Sequence, residues 1–197
     1  SSNSSLFFST SSITLAEKRL LTMPPYYGHH LSPKMCGFQN NSIYLYYEDD
    51  VQPKTNILNY RCEIDEWFPV IPTMKTIMTN ARMVTDDKLV FLIGGVDSNK
   101  KTCSGYVQAY DCRVPRWLEL TNLHTSILCD REACCYFNGK IYVSDAKNIE
   151  VFHPTAGKWE KLNLNDYQNP QFDIKKMQPF ENHIWLFCSE KQWGNDH

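Results

Sequence analysis

The sequence predicts an all-β protein, a propeller of four-stranded blades. Three observations predict it. Short apolar runs recur, the clearest being Leu89-Val90-Phe91-Leu92-Ile93 before Gly94-Gly95. A run this short, rich in β-branched and aromatic residues, reads as a strand buried on both faces. Each run follows a two-residue turn signal: Asn40-Asn41, Asp86-Asp87 or Asn138-Gly139. Tryptophans then recur at one place in the unit, with 50 residues from Trp67 to Trp117 and 42 from Trp117 to Trp159. That period fits one blade of four strands.

The units follow in order. Residues 1–25 read as the end of a blade. Strand and helix both fit residues 14–21, since Leu15-Ala16-Glu17-Lys18-Arg19-Leu20 has good helix propensity. The strand reading is preferred, because Thr22-Met23-Pro24-Pro25 resembles the ending Pro69-Val70-Ile71-Pro72-Thr73-Met74. Residues 26–74 form a repeat. It holds Met35-Cys36-Gly37-Phe38, the strand Ser42–Tyr47, an acidic loop, the strand Asn56–Tyr60 and Trp67. Residues 75–123 form the best-preserved repeat, with Gly94-Gly95, Val107-Gln108-Ala109-Tyr110-Asp111 and Trp117. Residues 124–168 repeat it as Ala133–Phe137, Asn138-Gly139, Lys140–Val143, Ile149–Phe152 and Trp159. Residues 169–197 are a partial repeat, Lys176–Phe180 and Ile184–Cys188 around Glu181-Asn182-His183. Asn138-Gly139 is the strongest hairpin signal, because both residues accept positive φ. The strand after each turn is the most apolar and is placed mid-blade. The aromatic residue late in each unit is placed between adjacent blades.

Composition excludes several classes. In 197 residues, 20 basic and 22 acidic side chains give a formal charge of -2. No basic bias points to nucleic acid, and no polybasic block or apolar run of about 20 residues points to a membrane. Hydrophobic residues at 42% and charged residues at 21% match a globular protein. Ser1 to Ser12 is polar and serine-rich, without the charged and apolar regions of a signal peptide. None of the eight cysteines forms a C-x-x-C pair. They are expected to be reduced, mostly buried thiols, which places the chain in the cytoplasm, with the nucleus as a second compartment.

Double glycine after an apolar strand, then tyrosine, then tryptophan resembles the Kelch repeat. Gly94, Gly95, Tyr110 and Trp117 carry the whole pattern. The first repeat has Tyr46-Tyr47 in place of the glycines but keeps Tyr60 and Trp67. The third has Ser144-Asp145 and Phe152 but keeps Trp159. The resemblance implies a Kelch-type β-propeller most like the Kelch domain of BTB-Kelch proteins, the substrate adaptors of cullin–RING ubiquitin ligases. Kelch rings close with more blades than these repeats supply, so the count favours a partial propeller, a fragment of a larger ring. An open edge would expose unpaired backbone groups. No BTB helices are visible, so a cullin would be reached only through a domain outside this chain.

No chemistry stands out. His29-His30 is the one adjacent histidine pair, and neighbours on an extended chain point opposite ways, so one metal cannot easily take both. His153 precedes Pro154 and suits a turn. Cys134-Cys135 lies in an apolar strand, where burial explains a thiol better than catalysis does. Asp49-Asp50 and Asp86-Asp87 are adjacent rather than opposed across a substrate. Trp117-Leu118-Glu119-Leu120 and Trp159-Glu160-Lys161-Leu162 match a W-x-x-L peptide motif, but their tryptophans and leucines fall at the repeat's packing positions. No catalytic residue, metal or cofactor is expected.

Binding remains, at the loops around one mouth of a rigid ring. The resemblance implies three classes of mouth residue. Those just after the double-glycine position are Glu48, Val96 and Ala146. The loop beyond supplies Asp49, Asp50, Asp97, Ser98, Asn99, Lys100, Lys101 and Lys147. Those entering the first strand are His30 and Ser32, Asn80 and Arg82, and Asp130 and Arg131. Arg82 and Arg131 lead, because a guanidinium grips a carboxylate with two hydrogen bonds. The expected partner is a protein or peptide, with no nucleic acid and no membrane. The alternatives are an actin-binding Kelch protein and, behind it, a metal-dependent oxidase or lyase on the same fold.

Overall fold

The structure is a computed structural model that describes residues 31–39, 41–49, 55–74, 76, 78–86, 88–97, 102–103, 105–124, 133–145, 148–162 and 172–190. The proposed N-terminal blade end, residues 1–25, lies outside them. The described residues contain strands and no helix.

The first sheet is a meander of β1 (Leu31–Gln39), β2 (Ser42–Asp49), β3 (Thr55–Arg61) and β4 (Glu66–Pro69). The second takes β6 (Arg82–Thr85), β7 (Leu89–Ile93), β10 (Val107–Asp111) and β11 (Arg116–Glu119). Beside it, β5 (Met78–Thr79), β8 (Val96–Asp97) and β9 (Thr102–Cys103) form a small three-stranded sheet. The third is β12 (Cys134–Phe137), β13 (Lys140–Ser144), β14 (Ile149–His153) and β15 (Lys158–Leu162). The last is a hairpin, β16 (Phe172–Phe180) and β17 (His183–Glu190). All pairings are antiparallel, so each four-stranded sheet is one blade.

Local chemistry sets the turns. Phe137 faces Lys140 across Asn138-Gly139, whose φ values are 47° and 74°. This is the two-residue hairpin that asparagine and glycine favour. Asn41 and Glu181 hold the matching place with φ of 56° and 53°. At β6–β7 the Asp86 carboxylate accepts from the amides of Lys88 and Leu89, each at 2.7 Å. An aspartate side chain so placed imitates the backbone of a turn.

Sheets stack face to face. Val90 and Leu92 of β7 join Tyr44, Tyr46, Ile57, Met83 and Tyr110 between blades one and two. Phe91 and Ile93 point the other way and join Val107, Ala109, Ile141, Val143 and Trp159 between blades two and three. The strand is therefore buried on both faces, as its unbroken apolar run predicts. Ile174 and Met177 join Cys135, Ile149 and Val151 between blade three and the hairpin. The first strands gather at the axis: β1 touches β6, β6 touches β12, and β12 touches β16.

One aromatic pair repeats in every complete blade. Tyr60 faces Trp67, Tyr110 faces Trp117 and Phe152 faces Trp159 across the third and fourth strands. Their ring centroids lie 5.1, 5.4 and 5.0 Å apart, all tilted. The indole of Trp117 donates to the carbonyl of Pro72 at 2.8 Å, and that of Trp159 to Thr121 at 2.7 Å. Each acceptor lies in the link after the preceding blade. The ring thus fills space while its N–H ties one blade to the next.

Two expectations need correction. Of the described cysteines, Cys135 is buried, Cys62, Cys112 and Cys134 are half-buried, and Cys188 is exposed. They are free thiols, but not mostly buried, because Cys62 and Cys112 sit in turns and Cys188 on an edge strand. Leu162 is exposed rather than packed, since β15 is the outermost strand of its sheet. Trp159 is buried and Leu120 packs into the core, so those members do serve the fold. Gly-Gly ends only one strand, as the departures in the other two repeats imply. In blade one β2 runs on to Asp49, and buried Tyr46 sends its hydroxyl to the carbonyl of Met78 at 2.5 Å.

Candidate functional site: the mouth of the propeller

Antiparallel alternation divides the loops between two ends. Turns joining first to second and third to fourth strands lie at one end. Loops joining second to third strands, and links between blades, lie at the other. This second end is the mouth.

Blade two builds the mouth most firmly. Gly94 and Gly95 have φ of 66° and 105°, conformations that favour glycine. A Cβ on Gly95 would lie 2.8 Å from the Thr79 carbonyl oxygen and 3.2 Å from Ala81. The double glycine therefore lets the chain leaving β7 pass against the incoming link. That approach allows β5 to pair with β8, Met78 opposite Asp97 and Thr79 opposite Val96. Beyond it β8 pairs with β9, so this loop carries its own small sheet. The Gly94 amide donates to Tyr106 and the Leu123 amide to Gly105, both at 2.8 Å.

The structure places the expected residues as follows. Asn80 is exposed, directly after β5, with φ of 54°. Arg82 opens axial strand β6 opposite Ile93 and is 9% exposed. It stands at the mouth end, but its side chain is largely packed, because Ile93 and the start of blade three flank that face. Asp97 stands opposite Met78, two positions from Asn80 on the paired strand. In blade one Glu48 pairs with Ser32 at the mouth end of β2 and β1. The backbone thus gathers Asn80, Arg82 and Asp97 on blade two, and Ser32 and Glu48 on blade one. His30, Asn99, Lys101, Arg131 and Lys147 lie outside the described residues, as do Asp50, Ser98, Lys100, Asp130 and Ala146. So does His29.

Two residues at this end are not among the sequence's candidates. Gln108 and Glu150 occupy one repeat position, two before the aromatic of the third strand, and are 1% and 2% exposed. Gln108 donates to the carbonyl of Thr76 at 3.1 Å. Glu150 accepts from the backbone amide of His124 at 3.0 Å and lies 2.9 Å from its Nδ1. Each buried side chain grips the link entering its own blade. Their shared offset from Tyr110 and Phe152 is the signal that could have found them.

Elsewhere the chemistry is that of structure. Burial pushes the Cys135 thiol up to about 11, away from thiolate. Burial likewise raises Cys112, with Tyr44 opposing it by a hydrogen bond. The His153 carbonyl accepts from Ala156 and Gly157 at 3.1 and 2.8 Å, closing the expected turn. Its ring pairs with Glu160 at 3.2 Å. Among the described residues no group of three His, Cys, Asp or Glu side chains could hold a metal ion.

Residues 78–124, the best-preserved repeat, match the family model of the Kelch motif. The fold is a Kelch-type β-propeller. Its described part comprises three four-stranded blades, the small three-stranded sheet beside blade two and a two-stranded hairpin. Among 122 matching solved chains is "Structure of YjhT", with a TM-score of 0.55 at 10% identity. The match covers 72% of this chain and 54% of that one, so this chain spans about half of YjhT. No curated protein matches it.

Proposed function

We propose that this propeller is a protein-recognition module that binds a peptide segment of its partner at the mouth. The observation that carries this reading is the architecture of blade two. A loop that would otherwise be free is braced by its own sheet, and that sheet sets Asn80 and Asp97 beside the axial residue Arg82. A braced loop loses less entropy when a partner orders it. The exposed amide side chain of Asn80 on that rim suits hydrogen bonding to an extended chain.

The finer reading is a substrate-recognition domain of a cullin–RING ubiquitin-ligase adaptor, non-catalytic itself. The Kelch repeat of residues 78–124 supports it. Affinity capture with the full-length protein tests it. Ubiquitin-ligase subunits enriched without actin are the expected result, and actin without ligase subunits overturns it. Asp97→Lys should abolish capture of the substrate. Ile64→Asp, at an exposed site on the opposite end, should not. Bound metal at one ion per chain in an elemental assay would contradict a purely binding role.

A further inference from the structure

We propose that the β16–β17 hairpin is an unfinished blade, and that the outer edge of β17 takes up an extended, uncharged segment of a partner protein as a third strand. This surface is separate from the mouth, and the inference does not rest on the mouth-binding reading.

The hairpin matches the first half of blade one pair for pair. β1 and β2 meet in eight pairs, from Leu31↔Asp49 to Gln39↔Ser42, with a register shift between Pro33 and Met35. β16 and β17 meet in eight pairs, from Phe172↔Glu190 to Phe180↔His183, with a shift at the same step, between Ile174 and Lys176. Trp185, Leu186 and Phe187 therefore stand where blade one has Tyr44, Leu45 and Tyr46. The blade-one residues are 4%, 4% and 0% exposed, but Trp185, Leu186 and Phe187 are 58%, 42% and 50% exposed. β2 has β3 beside it and blade two against it; among the described residues β17 has neither. No charged side chain or proline guards that edge between His183 and Glu190.

The place beside β17 has a floor. β12 touches β16, and Ile184 packs with Ile149 and Val151 of β14, so blade three runs on beneath that edge as β14 and β15. Leu162 of β15 stands opposite Ile149 on the same face and is 41% exposed. A strand beside β17 would cover Leu186 and Leu162 together, continuing the apolar contact between blade three and the hairpin. A second copy of the chain fits poorly, because its own blade three would meet β14 and β15. The chain's own fold leaves Trp185 and Phe187 exposed. The register also sets the chemistry of the segment. In blade one Tyr60 stands opposite Ile43, Leu58 opposite Leu45 and Ile57 opposite Tyr46. The segment should therefore bring an aromatic residue to Ile184 and aliphatic residues to Leu186 and Phe187. Backbone bonds along the edge would give affinity, and these side chains selection.

The probe is a synthetic peptide of residues 55–69 carrying Cys62→Ser, the third and fourth strands of blade one. Added to the full chain, it should saturably slow amide exchange over Ile184–Cys188 and thiol labelling of Cys188. A peptide of residues 148–162 is the control. It puts Glu150 opposite Leu186, and should bind roughly tenfold more weakly. Phe187→Lys, at an exposed position, should weaken the first peptide by a similar factor, while unchanged exchange in the other blades shows that the variant is folded. No slowing at β17, or equal slowing by both peptides, overturns the proposal. Exchange over Ile184–Cys188 that is already slow in the free monomer would mean that the chain itself fills the place. Slowing that accompanies a dimer in sedimentation would assign the place to a second copy. Either result overturns the assignment to a partner segment. Slowing confined to residues 78–82 and 94–97 overturns it too, while leaving the mouth-binding reading standing.

Discussion

Gly95→Ala isolates the contact that builds the mouth. Gly95 has φ of 105°, and an added Cβ would stand 2.8 Å from the Thr79 carbonyl oxygen, with two Ala81 backbone atoms at 3.2 Å. Backbone cannot rotate aside as a flexible side chain can. The unfavourable φ costs about 1–3 kcal/mol. Forcing the two segments apart adds about 1–3 kcal/mol. Together these are a large part of the roughly 5–15 kcal/mol that stabilises a domain. Gly157→Ala is the control, because Gly157 also has positive φ, 62°, but an added methyl there would meet no neighbouring atom within 4 Å. It should cost only about 1–2 kcal/mol. Urea unfolding measures both. Gly95→Ala should lower the midpoint clearly more than Gly157→Ala, and amide exchange at Thr79 and Val96 should quicken. Equal costs for the two variants would refute the close approach as the reason for the double glycine.

Further outcomes follow from the same contacts. Trp159→Phe removes the indole bond to Thr121 and should cost about 1–3 kcal/mol in a urea titration; a loss below about 0.5 kcal/mol would deny the indole an inter-blade role. Arg113 donates to both oxygens of Asp111 at 3.1 Å, and chiefly through that bond holds the carboxyl below its ordinary range. The folded value is depressed, so the stabilisation is present above about pH 4 and lost as pH falls through the folded value. Arg113→Ala should therefore shift acid unfolding upward by a small amount, since Arg113 is itself 56% exposed and screened. Thiol labelling at pH 8 should modify Cys188 early and Cys135 only on unfolding, because Cys188 is exposed and burial raises Cys135; equal rates would contradict this.

Much of the blade was legible because its signals are local. Asn138-Gly139 dictates a turn through backbone conformation alone, and Leu89–Ile93 has no polar face to leave in water. Tyr60, Tyr110 and Phe152 stand at a fixed offset from their tryptophans, so the pairing shows as spacing. What stayed hidden depends on partners distant in sequence. Nothing near Gly95 says that Thr79 will pass 2.8 Å away. The β8–β9 excursion is polar and short, and only β5 gives it a partner. Gln108 and Glu150 look like outward-facing residues of alternating strands. Their burial comes from links that arrive from 32 and 26 residues earlier. The repeat position of Arg82 puts it at the mouth, but the packing of its side chain depends on Ile93 and blade three.

The direct measurement is the footprint of a captured partner, read by hydrogen–deuterium exchange on the full chain. Binding at the mouth predicts slowed exchange at residues 78–82, 94–97 and 120–124, with the turns at 62–65, 112–115 and 154–157 unchanged. A footprint confined to those turns, or to the β16–β17 hairpin, would contradict it.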